Sequence, residues 1–162
     1  MTDKIISQEY LNYIFDYKDG ELYRKIKTGD SVKIGDRAGW HKHSGYMCVS
    51  VLAKNIYIHR VIFLMFHGYL PKYIDHIDGN PSNNKIENLR EATQSQNMAN
   101  SSRTNKNKLK GTTFCKKQKK WISAIMINYK RIHIGYFETE LEAHNAYTKK
   151  ADEYFKEFAR HN

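Results

Sequence analysis

The stretch from Ile74 to Asn97 reads IDHIDGNPSNNKIENLREATQSQN, and its turn residues set the local fold. Asp75 and His76 precede a tight polar turn of Asp78, Gly79, Asn80 and Pro81, which predicts a strand reversing direction. A second short strand is expected near Asn88 to Arg90. Thr93, with Gln96 three residues later, has the spacing of a helix N-cap box. The order is therefore strand, strand, helix, with Asn97 in the first turns of that helix. From there its amide oxygen could point back toward the strand carrying Asp75 and His76.

Working toward the N-terminus, His59 to Phe66 is largely apolar and predicts a helix ended by His67, Gly68 and Pro71. Short segments rich in aromatic and β-branched residues come before it: Glu21 to Lys25, Arg37 to Trp40, Tyr46 to Ala53 and Ile56 to Ile58. Gly, Asp and Asn separate them, so they read as strands. Gln8 to Phe15 places Tyr10, Leu11, Ile14 and Phe15 at helical spacing, with Ser7 as its cap.

Toward the C-terminus the charge pattern changes. No Asp or Glu lies between Glu91 and Glu138, while ten Lys and Arg do. Ala99 to Lys110 (ANSSRTNKNKLK) is polar and basic and reads as a linker able to track phosphates. Beyond it, KWISAIMI alternates, with Trp121, Ser123, Ile125 and Ile127 on one face. Asn128 and Tyr129 suit a turn, after which Ile132 and Ile134 face a core while Arg131 and His133 face outward. From a cap at Thr139, Leu141, Ala143, Ala146, Tyr147, Ala151, Tyr154 and Phe155 recur at helical spacing. A three-stranded sheet packed on one helix is expected.

Composition narrows the partners. The 162 residues carry 27 Lys and Arg against 17 Asp and Glu, a formal charge of +10, which favours a polyanion such as nucleic acid. The longest apolar run, Val61 to Phe66, is far below the ~20 residues of a spanning helix, so no membrane partner is expected. The N-terminus lacks the apolar core of a secretory signal, so a cytoplasmic location is expected. Cys48 and Cys115, with no CxxC pair, argue against structural zinc and against a disulfide framework.

The Ile74 to Asn97 segment resembles the HNH nuclease motif of phage and intron-encoded homing enzymes, and the preceding HRVIFLMFHGYLP resembles their lead-in. The resemblance implies a metal-dependent DNA endonuclease in which Asp75 and Asn97 are metal ligands, His76 is the catalytic base and Asn88 lies in the second strand. Chemistry supports these roles. Imidazole accepts a proton from water near neutral pH, and two hard oxygen ligands suit Mg2+ or Mn2+ rather than zinc. Asn88 would orient the loop through hydrogen bonds to backbone. Arg60 is a candidate phosphate contact. His59 is read as the start of the apolar helix, and His41, His43 and His67 as solvent-facing.

Lys110 to about Ala159 resembles the three-stranded DNA-binding domain of plant ethylene-response factors, through Lys110-Gly111, Lys120-Trp121, Ile125, Ile134-Gly135-Tyr136-Phe137, Ala143, Ala146-Tyr147 and Ala151. In that family the sheet enters the major groove. The resemblance carries over Lys120, Arg131 and His133 as DNA contacts, and charge adds Lys110, Lys116, Lys117, Lys119 and Arg103. Thr113, Cys115, Ala124 and Met126 depart from the family at that face, and the phase of Trp121 assigns it to core packing.

The expected fold is α+β: a strand-strand-helix metal (HNH) nuclease unit plus a three-stranded antiparallel sheet packed on one helix. The expected domains are residues 1–100 for the nuclease with its lead-in, 101–109 for a basic linker and 110–162 for the DNA-binding domain. Expected partners are double-stranded DNA and a divalent metal, with no small-molecule cofactor, in a monomer or homodimer. The alternative reading is a catalytically inert, sequence-specific DNA-binding protein or regulator, which has no need of Asp75, His76 and Asn97 together.

Overall fold

Ser7 accepts a hydrogen bond from the Tyr10 amide and starts α1, Gln8–Ile14, as the cap rule predicts. A computed structural model of the chain describes residues 6–101 and 109–161. The chain then extends into β1 (Phe15–Lys18), which pairs antiparallel with β2 (Glu21–Arg24). The two-residue connection, Asp19-Gly20, has positive φ at both positions, the geometry that matches strand twist in a hairpin. A side chain at residue 20 would meet the Lys85 amide at 2.8 Å, so glycine is required. Sequence reading missed β1, because its FDYK carries little apolar signal and abuts the helix.

The expected strand from Arg37 to Trp40 is two strands. β3 (Arg37–Ala38) joins β2, whereas β4 (Trp40–His41) joins β5 (Met47–Val51). Gly39 between them has φ of 108°, a conformation L side chains rarely adopt. Its missing Cβ would lie 2.6 Å from the Cys48 carbonyl. The close approach re-aims the chain from one sheet to the next. β6 (Lys54–Tyr57) completes the second sheet in the order β4-β5-β6.

α2, Ile58–His67, buries Ile58, His59, Val61, Ile62, Phe63 and Met65. The apolar ones pack with Leu11, Ile14, Phe15, Leu22, Val49 and Val51 in one core. Gly68, at φ 75°, ends the helix by returning its N–H to the Leu64 carbonyl, a left-handed cap. β7 (Tyr73–His76) and β8 (Leu89–Ala92) form a two-stranded sheet, with a single 3-10 turn at Ile86–Asn88 before β8.

Backbone contacts divide the chain into Met1–Glu91 and Ala92–Asn162. α3, Gln94–Asn100, therefore belongs with the second unit; it opens on the expected capping box of Thr93 and Gln96. The expected linker, 101–109, lies almost wholly outside the described residues. In the second unit β9 (Thr112–Cys115), β10 (Lys120–Ile127) and β11 (Lys130–Phe137) form an antiparallel sheet in the order β11-β10-β9. Asn128 and Tyr129, both at positive φ, make its tight turn. α4, Glu140–Phe155, starts on a Thr139 capping box and buries Ala143, Tyr147, Ala151 and Phe155. Leu141 and Tyr154, expected on that face, are exposed, so the buried stripe is the narrower i, i+4 row. Ile125, Ile132, Ile134 and Phe158 complete this core. A side chain at Gly111 would overlap the Tyr147 ring at 2.1 Å, which explains the Lys110-Gly111 pair.

Candidate active site

Asp75 and His76 end β7, and both are buried, at 2% and 5% exposure. Successive strand residues point to opposite faces, so both faces of this strand end are covered. On one side Arg90 Nε donates to Asp75 Oδ2 at 2.9 Å. On the other, His76 Nε2 lies 3.1 Å from Asn84 Oδ1, and Asn84 is itself 2% exposed. An amide oxygen only accepts, so Nε2 carries the hydrogen and the neutral ring keeps its lone pair on Nδ1. Burial pulls the His76 pKa below the usual histidine value, opposed by the Asn84 hydrogen bond and by the Asp78 and Asp75 carboxylates.

The loop after His76 is tied by its own polar side chains. Asp78 Oδ1 accepts from the Asn80 amide at 2.8 Å and from Asn88 Nδ2 at 2.9 Å, and Asp78 Oδ2 accepts from Asn83 Nδ2 at 2.7 Å. Asn88 also accepts from the Asp78 amide at 3.0 Å and donates to the Asn83 carbonyl at 2.8 Å. Burial acts to raise the Asp78 pKa, but the bonds from Asn83, Asn80 and Asn88 outweigh it and hold the carboxyl below its ordinary value. Outside the loop, Ser82 Oγ donates to the Gly45 carbonyl at 2.9 Å, and the Ile86 amide donates to the Tyr17 hydroxyl at 3.0 Å. Sequence reading had selected Asn88 and passed over Asp78 and Asn84. The available signal was four asparagines, at 80, 83, 84 and 88, following an aspartate in one turn.

His59, in the first turn of α2, was read from sequence as part of the helix start. Its ring lies 5.1 Å from that of His76 at an interplanar angle of 72°. Tyr46 lies 5.5 Å from His59 and 5.9 Å from His76, and Tyr57 stacks on His59 at 5.6 Å. His59 is 7% exposed, and its Nδ1 is buried without a hydrogen-bond partner. Burial, reinforced by the positive charges of His76 and Arg60, pushes its pKa down to about 3. Arg60 turns its guanidinium toward the Pro71 and Lys72 carbonyls at 3.3 and 3.4 Å. His41, His43 and His67 are exposed.

The remaining candidates belong to the second unit. Asn97 is in α3, half-buried, its amide bonded to the Thr93 carbonyl. Lys110 requires a correction: its ammonium donates to the Ala99 carbonyl and, at 2.9 Å each, to the Ser101 and Arg160 carbonyls. That uses all three of its donors and ties the end of α3 to the C-terminal segment, so Lys110 leaves the set of phosphate contacts. Burial lowers its pKa to about 8. Lys116, Lys117 and Lys119 are exposed in the turn between β9 and β10. Lys120 pairs with Glu138 at 2.7 Å. Arg131 and His133 are exposed on the sheet face that α4 does not cover, with the His133 ring 4.8 Å from Tyr136. Trp121 meets Phe114 edge-on at 5.3 Å. Arg103 lies outside the described residues.

Among the described residues no group of three or more His, Cys, Asp or Glu could hold a metal ion, which excludes a multi-histidine or thiolate centre there. A buried carboxylate with one oxygen already oriented by Arg90 fits a different donor set. It suits a hard divalent cation that keeps several of its waters.

Residues 56–99 match the HNH endonuclease family model. The chain is similar to the uncharacterized HNH endonuclease L560 of Acanthamoeba polyphaga mimivirus, with 38% identity over 122 residues, covering 74% of this chain and 63% of the relative. It is also similar to Protein 3.8 of Escherichia phage T7, with 42% identity over 59 residues, 34% of this chain and 49% of that one. The chain thus spans about half to under two thirds of the length of these relatives. No solved structure matches at comparable significance. The matched segment contains Asp75, His76, Asn84, Asn88 and Asn97, together with His59 and Arg60.

Proposed function

We propose that this chain is a metal-dependent DNA endonuclease of the HNH type, probed best at His76. The observation that carries the reading is the buried Asp75-His76 pair at a strand end, with His76 held in one tautomer by Asn84. His76 takes the proton of the attacking water at Nδ1, since Nε2 is committed to Asn84. Asn88 and Asp78 hold the loop that follows, so the imidazole is oriented before substrate arrives. Asp75 would supply an oxygen ligand to the cation, Mg2+ or Mn2+. When bound, that ion offsets the charge building on the phosphate and assists the departing oxygen.

The basic second unit is assigned to holding double-stranded DNA, with Arg131, His133 and Lys120 toward base edges and Lys116, Lys117 and Lys119 toward phosphates. An ethylene-response-factor-like mode of binding is supported by the three-stranded sheet backed by one helix and by the basic residues on its uncovered face. Linking a binding surface to a cleavage site raises the local concentration of DNA at the latter. A homing-type role is supported by the motif's likeness to such enzymes and by two viral relatives. The test is cleavage of supercoiled plasmid with Mg2+, Mn2+ or chelator, comparing wild type with His76→Ala. Metal-dependent nicking or linearisation lost in the variant, with DNA binding retained, is expected. Binding without cleavage by the wild type on plasmid and varied genomic DNA would leave the inert-binder reading.

A further inference from the structure

We infer that the uncovered face of the β9-β10-β11 sheet reads the 5-methyl group of thymine through Ala124 and Met126, an inference that rests on assigning this unit to double-stranded DNA. Ala124 and Met126 alternate with the buried Ser123 and Ile125 along β10, the central strand, so they stand on the side away from α4. Across the sheet Ala124 is paired with His133 and Met126 with Arg131. A bulge shapes this face. Ser123 pairs with Gly135 but Ala124 with His133, which leaves Ile134 as the extra residue. Ile134 packs against the core, while His133 and Tyr136 both remain outside with their rings 4.8 Å apart; such re-aiming of side chains is what a bulge does. On the other side β9 pairs with β10 only as far as Thr112 opposite Ser123. Beyond that point lies a recess of about 180 Å³ whose lining includes Thr113, Ala124, Met126 and Arg131.

The chemistry of this face selects its ligand. No Asp or Glu lies between Glu91 and Glu138, and Lys116, Lys117, Lys119 and Arg131 are exposed, so the occupant is a polyanion. Yet the centre of the face offers almost no hydrogen bonding, because an alanine methyl neither donates nor accepts and a thioether is only a weak acceptor. Met126 is nevertheless 43% exposed there. Among the groups that base pairs present in the major groove, the thymine methyl is the apolar one. The recess, several times the ~30 Å³ share of a water molecule, admits it. Arg131, beside the recess, is then left to hydrogen-bond a neighbouring base edge. The same contact selects against RNA, since uracil lacks the methyl and the major groove of an A-form helix is too narrow for side chains to read.

The experiment uses two alternating duplexes that differ only in that methyl, poly(dA-dT) and poly(dA-dU). Their binding to the full chain is measured with chelator present, so that no cleavage intervenes. Burying one methyl gives about fourfold in affinity and burying two about fifteenfold. Poly(dA-dT) should therefore bind about four- to fifteenfold more tightly, with equal slopes of log affinity against log salt, because the phosphate contacts are the same. Ala124→Ser combined with Met126→Gln, at two partly exposed positions, should bring the ratio within about twofold. The affinity for poly(dA-dU) and the Tm should stay near wild type. A wild-type ratio below about twofold overturns the thymine reading whether or not the variant folds. A ratio that survives in the folded double variant also overturns it, since the methyl would then act through the shape of the duplex rather than through these side chains. Failure to bind either duplex would instead overturn the assignment of this unit to DNA, and the methyl contact with it.

Discussion

Asn84→Ala is the most informative change outside the metal ligands, because the Asn84 side chain does one definable thing to His76. Its Oδ1 accepts from Nε2 at 3.1 Å between residues that are 2% and 5% exposed. Removing it loses a buried hydrogen bond and deprives a buried N–H of that acceptor, together about 2 kcal/mol of stability. For a unit of this size that lowers Tm by about 10 °C. The kinetic effect has a separate origin. Without the acceptor the two neutral tautomers of His76 become closer in energy, and losing a preference of about 1.4 kcal/mol, tenfold in their ratio, costs only about a factor of two in the population of the base. Loss of orientation is the larger effect, so kcat should fall about 10- to 100-fold with KM for DNA little changed. Asn84→Asp serves as the control: a carboxylate keeps the acceptor and stabilises the charged ring. It should retain cleavage near neutral pH while moving the acidic limb of the rate profile to higher pH. The assay is single-turnover cleavage of supercoiled plasmid across pH, at a temperature where melting curves show both variants folded. Wild-type cleavage by folded Asn84→Ala would refute the tautomer argument.

The other expectations test separate parts of the structure. His59 has a folded-state pKa of about 3 against an unfolded value of about 6.5. Below pH 6.5 the unfolded chain therefore binds more protons, and stability falls as pH falls. The loss reaches about 2 kcal/mol by pH 5, and His59→Phe should flatten the corresponding part of the Tm-versus-pH curve. Asn88→Ala removes three side-chain bonds from the loop and should cost about 2 to 3 kcal/mol, read by urea unfolding, with cleavage reduced more than DNA binding. Replacing Lys116, Lys117 and Lys119 together by Gln should reduce the slope of log affinity against log salt by about 2 to 3 if all three meet phosphates. Lys110→Met should leave that slope unchanged while lowering stability by about 1 to 2 kcal/mol, because its ammonium satisfies three carbonyls within the protein; a fall in slope would return Lys110 to the DNA-binding surface.

The sequence alone determined those features whose cause is local. Ser7, Thr93 and Thr139 start their helices because a side-chain oxygen meets an amide two or three residues on, and this needs nothing from the rest of the chain. The alternation in β10 and β11 specified which side packs on α4, and the order Asp-His, turn, Asn, capped helix identified the motif. Tertiary structure decided what depends on close approach between distant residues. Gly39 divides one apparent strand between two sheets because the Cys48 carbonyl occupies the place of its Cβ. Lys110 changes from a phosphate contact to a clamp because three carbonyls, one of them fifty residues away, converge on its ammonium. His59, which periodicity could only call an apolar helix start, lies against His76 because α2 and β7 bring them together from seventeen positions apart in the chain. Hydrophobic pattern and cap chemistry are read along the chain. The partner of a buried polar atom is chosen in space, and sequence spacing carries no record of it.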